Sequence, residues 1–533
     1  MVFAEALIKS LHSLGVKYIF GIPGGPSIPY LKAMSNHGVK FILVSNEQSA
    51  AIMADVCGRL TGIPGVCHGT FGPGATNLSS GVGGAFLDRS PLIAFTTEVR
   101  DEDLGRTVQM NINHQLLYKP LAKWTTRLSR NIFKKTLTKA FKIATSERPG
   151  PVHIGLPSDI GEEILNDSNF ISSVKKETIP LPPPLLLAEA EKSMKKSKRP
   201  VLAVGLTALR LGVHQLIRNL VDKNNIPVIL TPMAKGIIPE NHPYYAGVLF
   251  HARNDLVARI YRKADLIIGL GYDPVEVNYE SWMPHVPLLH IDTKPADITG
   301  EYSVVCNVTG DLAYTLTYLN SLTFPAYDWD PVEIQDNKER LFQAFLTPAN
   351  TFTPAQLLLV LREVLPDDGM ITCDVGAHLH LMGQFWQVND PNHFIITNGW
   401  STMGFGLPAA LGVKLCRPEK PVVCVTGDGG FLMNCGEIIT ARRLGLNIVI
   451  IVLCDHNLSL IRVKQLGKKI IPYGTDLYEG RYFGADKFFD VPVFQAHDKD
   501  EMKASLFKAF SATGPVIIEA IVDGSQYQQV IRV

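Results

Sequence analysis

Short apolar runs that end in turn residues, each followed by a stretch of helical period, recur from one end of this chain to the other. KYIFGIPGG reads as a strand entering a Gly/Pro turn, and FILVSNEQSAAIMADVCGRLTG as a strand followed by a helix. PVLAVG, IPVILT, ADLIIGLG, PLLHID, PVVCVTGDGG and NIVIIVLCD repeat the style. Unbroken apolar runs of that length suit strands buried on both faces, as in parallel sheets. Repeated βα units predict an α/β fold of doubly wound parallel sheets. With 533 residues, at about 150 per domain, the chain has room for roughly three or four domains. Residues 166–199 (polar, with IPLPPPLLL and EKSMKKSKRP) and 323–340 (TFPAYDWDPVEIQDNKER) read as linkers. They divide the chain into domains over about 1–165, 190–325 and 350–533. The outer two open alike: FAEALIKSLHSLGV and TPAQLLLVLREVLP share an apolar helical period, and Thr353-Pro354 supplies an N-cap and a first helical position.

Composition narrows the function classes. Lys+Arg is 51 against 50 for Asp+Glu, a net charge of +1, so no general field draws nucleic acid or an anionic membrane. Hydrophobic residues at 46% and charged residues at 19% suit large buried cores and exclude a disordered chain. No apolar run approaches the about 20 residues that span a bilayer. The N-terminal MVFAEALIKSLHSLG, with Glu5 and Lys9 inside its pattern, reads as an amphipathic helix and not a signal peptide. The eight cysteines form no CxxC pair and no zinc spacing, which points to a reducing, cytoplasmic setting.

The densest chemistry lies in VTGDGGFLMNCGEIITARRLGLNIVIIVLCDHNLSLI, residues 425–461. A strand ends at Thr426, and Gly427-Asp428-Gly429-Gly430 lets the backbone turn tightly into a helix whose free N–H groups suit an anion. A second strand, NIVIIVL, delivers Asp455, His456 and Asn457. Neighbouring parallel strands would bring Asp428 and Asp455 to one sheet edge. Two carboxylates beside a glycine turn suit a hard divalent cation, Mg²⁺, bridging to a phosphate. An ordinary βα turn with Asp caps is the alternative.

GDGG followed by an oxygen ligand 27 residues after its Asp resembles the cofactor motif of the thiamine diphosphate enzymes, the superfamily of acetolactate synthase, pyruvate oxidase and 2-oxo acid decarboxylases. The acetolactate synthase large subunit is the nearest likeness. That family usually has two Asn at the second site, where this chain has Cys454-Asp455 followed by His456-Asn457. The resemblance implies Asp455 as metal ligand beside Asp428, with the Asn457 carbonyl completing the set; Asp is an equally hard oxygen donor. FGIPGGPSIPYL, SNEQSAAIMADVCGRLTG, GVCHGTFGPGATN with FLDRSPLIAFT, RPGPVHIGLPSDI, DVGAHLHL and NGWSTMGFGLPAAL extend the likeness over nearly the whole chain. It implies a pyrimidine-binding domain, a central domain and a diphosphate-binding domain. Glu47 takes the position of the family's activating glutamate. Met403 resembles the wedge that bends the two cofactor rings. The Ser401 carbonyl would accept from the aminopyrimidine, at a position where the family often has Gly. His378, with the backbone from Gly376, is a candidate for the diphosphate.

Substrate residues are read from the same resemblance. His68, in CHGTFGPG, falls where benzoylformate decarboxylases have a catalytic His, and His251, in GVLFHARND, near their second one. Two imidazoles there could move protons; a satisfied packing His is the alternative for each. The decarboxylase serine would align with Gly25. The paired His of pyruvate decarboxylases is absent, since this chain has Asn113-His114-Gln115. Gln109 is offset by one residue from the catalytic Gln of acetolactate synthases. Strands ending in GLG and HID give the middle domain a nucleotide-fold look, and in some relatives it holds FAD, but MAKGIIPENHPYYAG resembles the members without it, so FAD is not expected. The chain also ends soon after VIIEAIV, without the longer C-terminal segment of many biosynthetic relatives.

The resemblance therefore implies an enzyme dependent on thiamine diphosphate and Mg²⁺. It would decarboxylate a small 2-oxo acid and join the acyl unit to a second carbonyl. Non-ligating decarboxylation of benzoylformate or branched-chain type, and 2-hydroxyacyl-CoA cleavage, are the alternatives; a silent paralogue serving as a partner-binding subunit is the non-enzyme reading. Sites shared between two chains imply a homodimer or homotetramer. Neither nucleic acid nor membrane is an expected partner.

Overall fold

The alternation folds into three sheets, one per third of the chain, in a computed structural model that describes residues 1–165, 170–175, 177–300, 302–346 and 350–531. In the first sheet β1 (Tyr18–Gly21), β2 (Lys40–Leu43), β3 (Gly65–Gly69), β4 (Leu92–Glu98), β5 (Trp124–Arg127) and β6 (Pro151–Pro157) lie in the order β2-β1-β3-β4-β6-β5. In the second, β7 (Pro200–Val204), β8 (Val228–Leu230), β9 (Tyr245–Val248), β10 (Leu266–Leu270), β11 (Leu288–Asp292) and β12 (Val304–Thr309) lie in the order β12-β11-β10-β7-β8-β9. The third holds β13 (Met370–Cys373), β14 (Phe394–Ile395), β15 (Val422–Gly427), β16 (Val449–Cys454), β17 (Lys487–Phe488), β18 (Val491–Ala496) and β19 (Val516–Ile521), ordered β14-β13-β15-β16-β19-β18-β17. All pairings are parallel except β17 with β18 at the edge of the third sheet. Strands such as β4, β7, β10 and β16 are buried at every position, as parallel strands covered by helices on both faces must be.

In each sheet the order reverses beside the first strand: between β1 and β3, between β7 and β10, and between β13 and β15. Loops leaving such neighbours in opposite directions open a crevice at the carboxyl ends of the strands, where ligands of α/β proteins bind.

The outer two sheets are joined within the chain. Helix Glu47–Thr61 lies against helix Gly406–Cys416, with Ala50, Met53, Ala54 and Val56 in one core with Leu407, Ala409, Ala410 and Val413. A Cβ at Gly412 would stand 3.1 Å from the Met53 carbonyl oxygen, so the helices meet at a spacing only small residues permit. Polar contacts extend the seam: Ser45 and Asn46 donate backbone N–H to Glu437 at 2.9 and 3.2 Å, and Gln48 donates to Thr402 at 3.1 Å. A second core runs from the central sheet into the third, and a smaller one fills the outer face of the first.

Each of the two stretches read as linkers contains a helix. Residues 166–169 and 176 lie outside the described residues, but Pro184–Lys196 is a helix whose Leu187, Ala190 and Met194 enter the central core. Pro331–Gln343 is another, capped by Asp330, with Ile334, Asn337 and Leu341 buried. Its apolar stripe is two residues wide among charged neighbours, which hides the period. Tyr327 and Trp329 before it are also buried, and the Trp329 indole donates to the Pro200 carbonyl at 2.8 Å. Thr353 caps the helix Pro354–Val364 as its sequence implies, in a reciprocal box with Gln356. Among the described residues no helix is long and apolar enough to cross a membrane.

Candidate active site

The reversal point of the third sheet and the strand beside it gather the residues singled out in GDGG and CDHN. Strands β15 and β16 pair with Gly427 opposite Leu453, so the chain leaves them side by side. Asp428 opens the helix Asp428–Asn434; its carboxylate accepts from Gly429 N–H at 2.8 Å, His456 N–H at 2.8 Å and the Tyr482 hydroxyl at 3.2 Å. The Asp455 carboxylate accepts from Asn457 N–H at 3.2 Å and from the Ser459 hydroxyl. Burial pushes the Asp428 carboxyl above its usual range. Burial and then the facing Asp428 charge hold Asp455 up at about 6. A buried acid and a half-buried one whose charges act on each other suit a cation between them.

Above them is a cavity of about 240 Å³ whose lining includes Gly376, His378, Met403, Asp428, Asp455 and Asn457, together with Gly427, Gly429, Gly430 and Ser401. The glycines are required by close approach. A Cβ at Gly430 would stand 2.8 Å from the Asp374 carboxyl carbon, and one at Gly427 would stand 3.2 Å from the His378 ring. His378 is buried, its Nε2 has no hydrogen-bond partner among the described residues, and burial lowers its pKa to about 4. A neutral imidazole with one unused nitrogen, over a glycine-lined floor with two acids, fits a diphosphate held through a divalent cation.

One organising residue escaped the sequence reading. Asp374, directly after β13, is buried and accepts from the backbone N–H of Val375, Gly404 and Gly406 at 2.6, 2.9 and 3.1 Å and from the Thr426 hydroxyl at 3.2 Å. It ties the loop bearing Met403 to the β15 turn. An acid at a strand end before VGAH has the same pattern as GDGG, and that was its signal. Ser401 has a φ of +55°, a left-handed conformation that glycine adopts freely, which accounts for glycine being usual at such a position.

Glu47 is the first residue of the helix Glu47–Thr61, behind an Asn46 side chain that caps Gln48 N–H at 2.8 Å. It is 6% exposed. One carboxylate oxygen accepts from the Asn77 amide at 3.1 Å, and the other lies 3.2 Å from where a Cβ at Gly74 would be. The cavity over Asp428 and Asp455 is lined by residues of 375–527 alone, so one chain does not bring Glu47 to it.

The expected substrate residues are not brought together either. His68 lies in β3, where Val66 and His68 face the outer core and Cys67 the opposite one. Its Nε2 is 2.8 Å from the Ser27 hydroxyl among Leu7, Tyr30 and Phe95, and burial lowers its pKa to about 4. His251 lies far from it, on the rim of a cavity beside the cradle, with its ring 4.9 Å from that of His380. Within one chain the expected pair of imidazoles is therefore not formed, and His68 matches the packing alternative. Gln109 is exposed in a turn of the loop between β4 and β5. At the reversal point of the central sheet, Asp273 is paired with Arg89 at 2.7 Å and Arg148 at 3.4 Å.

Comparison with known proteins identifies the family of the chain. Residues 1–117 match the N-terminal TPP binding domain of thiamine pyrophosphate enzymes, 187–319 their central domain and 374–520 their C-terminal TPP binding domain. The chain is 31% identical to a probable acetolactate synthase large subunit of Methanocaldococcus jannaschii, covering 98% of this chain and 92% of that protein. It is 29% identical to an acetolactate synthase of Bacillus subtilis, covering 98% and 93%, and 29% identical to acetolactate synthase isozyme 3 large subunit of Escherichia coli, covering 98% and 95%. The chain belongs to the thiamine pyrophosphate enzymes, three-domain α/β proteins whose cofactor is thiamine diphosphate.

Proposed function

We propose that the chain decarboxylates a 2-oxo acid and joins the resulting acyl unit to a second carbonyl, as the names of its relatives describe. The observation that carries this reading is the cradle of Asp428, Asp455, His378 and its glycines, in a chain that its relatives match almost end to end. Asp428, Asp455 and the Asn457 carbonyl would hold Mg²⁺, and Gly376, His378 and the backbone of 427–430 the diphosphate. Ser401 and Met403 would hold the ring end. When bound, thiamine diphosphate supplies the electron sink that loss of CO₂ from a 2-oxo acid requires. Glu47 would hold and return a proton at the pyrimidine, its carboxyl oriented by the Asn77 amide.

Because one chain does not place Glu47 at its own cradle, a second copy supplies it, and the working unit is a homodimer or a pair of homodimers. The eight free cysteines support a cytoplasmic setting. The deciding experiment feeds the holoenzyme pyruvate, benzoylformate and a branched 2-oxo acid, and scores CO₂, aldehyde and ketol together. Ketol with CO₂ is expected. Aldehyde alone would replace ligation by simple decarboxylation, and no CO₂ from any 2-oxo acid would sink the reading.

A further inference from the structure

The loop between β14 and helix Gly406–Cys416 carries Ser401 and Met403 into the lining of the cradle. Its far end is held from within the third part of the chain. Asp374 accepts from Gly404 and Gly406 N–H, and the Asn434 amide donates to the Gly404 carbonyl at 2.7 Å. Its near end is held by the first part of the chain. Asp88, directly after helix Gly72–Leu87, accepts from the backbone N–H of Gly399 at 2.8 Å and of Asn398 at 3.3 Å. Arg59, in the last turn of helix Glu47–Thr61, donates to the Ile396 carbonyl at 2.6 Å. The same guanidinium donates to Asp88 at 2.8 Å and, through two nitrogens, to Asp55 at 2.8 and 2.5 Å.

The cluster is buried, with Asp88 1% and Asp55 2% exposed. Two carboxylates share one guanidinium, which leaves one negative charge away from water. A buried charge without partners is costly, and here the amide N–H groups of the loop supply them. Asp88 therefore has its full set of partners only when residues 398 and 399 stand where they do. The fit is also close. A Cβ at Gly399 would stand 2.9 Å from the Asp88 carboxylate, and one at Gly83 would stand 2.9 Å from the Trp400 ring, so the loop lies directly on helix Gly72–Leu87. Among the described residues, the Asp55 carboxylate is hydrogen-bonded to Arg59 and to no residue of the loop.

We propose that Asp88 and Arg59 are positioning residues for the ring end of thiamine diphosphate: they fix the first half of the loop so that the Ser401 carbonyl and Met403 are in place before the cofactor arrives. The proposal rests on the roles given above to Ser401 and Met403. Neither Asp88 nor Arg59 lines the cavity over the metal ligands, so both act through the loop. A carboxylate accepts through both oxygens, whereas an amide presents a donor at one of its two ends. Asp88→Asn therefore cannot serve Arg59 and Gly399 together.

The test titrates the full chain by calorimetry with two ligands, inorganic diphosphate and thiamine diphosphate, each with Mg²⁺. Both fill the diphosphate end, and only the second reaches the loop. In Asp88→Asn the preference for thiamine diphosphate should fall about tenfold, with the affinity for inorganic diphosphate unchanged. Arg59→Lys, which cannot span two acids and a carbonyl, should lose the preference in the same direction. Asp55→Asn should lower the melting temperature and leave the preference alone. A preference unchanged in Asp88→Asn or Arg59→Lys, or lost equally in Asp55→Asn, would overturn the proposal. Amide hydrogen exchange of the unaltered chain without cofactor requires no variant to fold. Peptides covering 396–400 should already exchange slowly there, and about tenfold faster in Asp88→Asn. Rapid exchange in the unaltered chain before the cofactor binds would overturn the proposal. Neither measurement reads turnover, so a different outcome with 2-oxo acids would leave the positioning role standing, and loss of that role would leave the proposed function standing.

Discussion

The cofactor cradle and the cavity beside it share a wall but are made differently. The cradle is built from backbone: turns at 376 and 427–430, N–H groups anchored by Asp374 and Asp428, and glycines where a Cβ would collide. Its side chains are few, and Asp428 and His378 among them are buried. The neighbouring cavity is built from the ends of side chains, with His251, Asn254 and Lys464 reaching its rim from exposed positions. A backbone-built site can be altered only by moving the chain, whereas a side-chain-built site changes with one substitution. The first suits a part of the reaction common to every substrate, and the second a part that varies.

The contrast is broken most sharply at the metal. Asp455→Ala should weaken thiamine diphosphate binding by about 100-fold, because Asp428 alone cannot complete a hard-oxygen set. Excess Mg²⁺ should restore part of the loss. Fluorescence titration with the cofactor reads this directly, and an unchanged affinity would remove Asp455 from the ligand set. Next in size is Glu47→Gln, which separates anchoring from proton transfer. Cofactor affinity should fall only modestly, while turnover falls by about two orders of magnitude. The check is hydrogen–deuterium exchange at the thiazolium C2 of the bound cofactor; an exchange rate near that of the unaltered enzyme would reduce Glu47 to a helix-start residue. The smallest effect belongs to Ser401→Gly. Glycine relieves the left-handed φ but loses the bond from the Ser401 hydroxyl to the Asn398 carbonyl at 2.9 Å. The opposing contributions should leave stability within about 1 kcal/mol, read by thermal unfolding. A larger loss would show that the serine hydroxyl, and not only the backbone, shapes the cradle.

The same contrast explains what the sequence made legible. Asp428, Asp455 and the glycines lie in short contiguous motifs whose spacing follows from adjacent parallel strands, so their meeting could be argued from residues. The resemblance then assigned Glu47 and His378 their roles. Asp88 and Arg59 stood in quoted segments without attracting notice, because only the fold brings positions 59, 88 and 399 together. His68 shows a different gap. Alternation along GVCHG says that His68 and Cys67 face opposite ways, but not which face belongs to which core. Helix Pro331–Gln343 was hidden because its buried stripe of Ile334, Asn337 and Leu341 is thin and partly polar.

The seam between helices Glu47–Thr61 and Gly406–Cys416 has a genetic consequence. It holds the outer two domains of one chain together while leaving Glu47 outside that chain's own cradle. In the paired assembly proposed above, each polypeptide gives its acid to its neighbour and its metal ligands to itself. A population carrying one allele without Glu47 and another without Asp455 would then make no active pure pairs, yet each mixed pair would contain one intact centre. Two null alleles of this gene would complement each other, and a single damaged allele would poison sites only in proportion to its abundance.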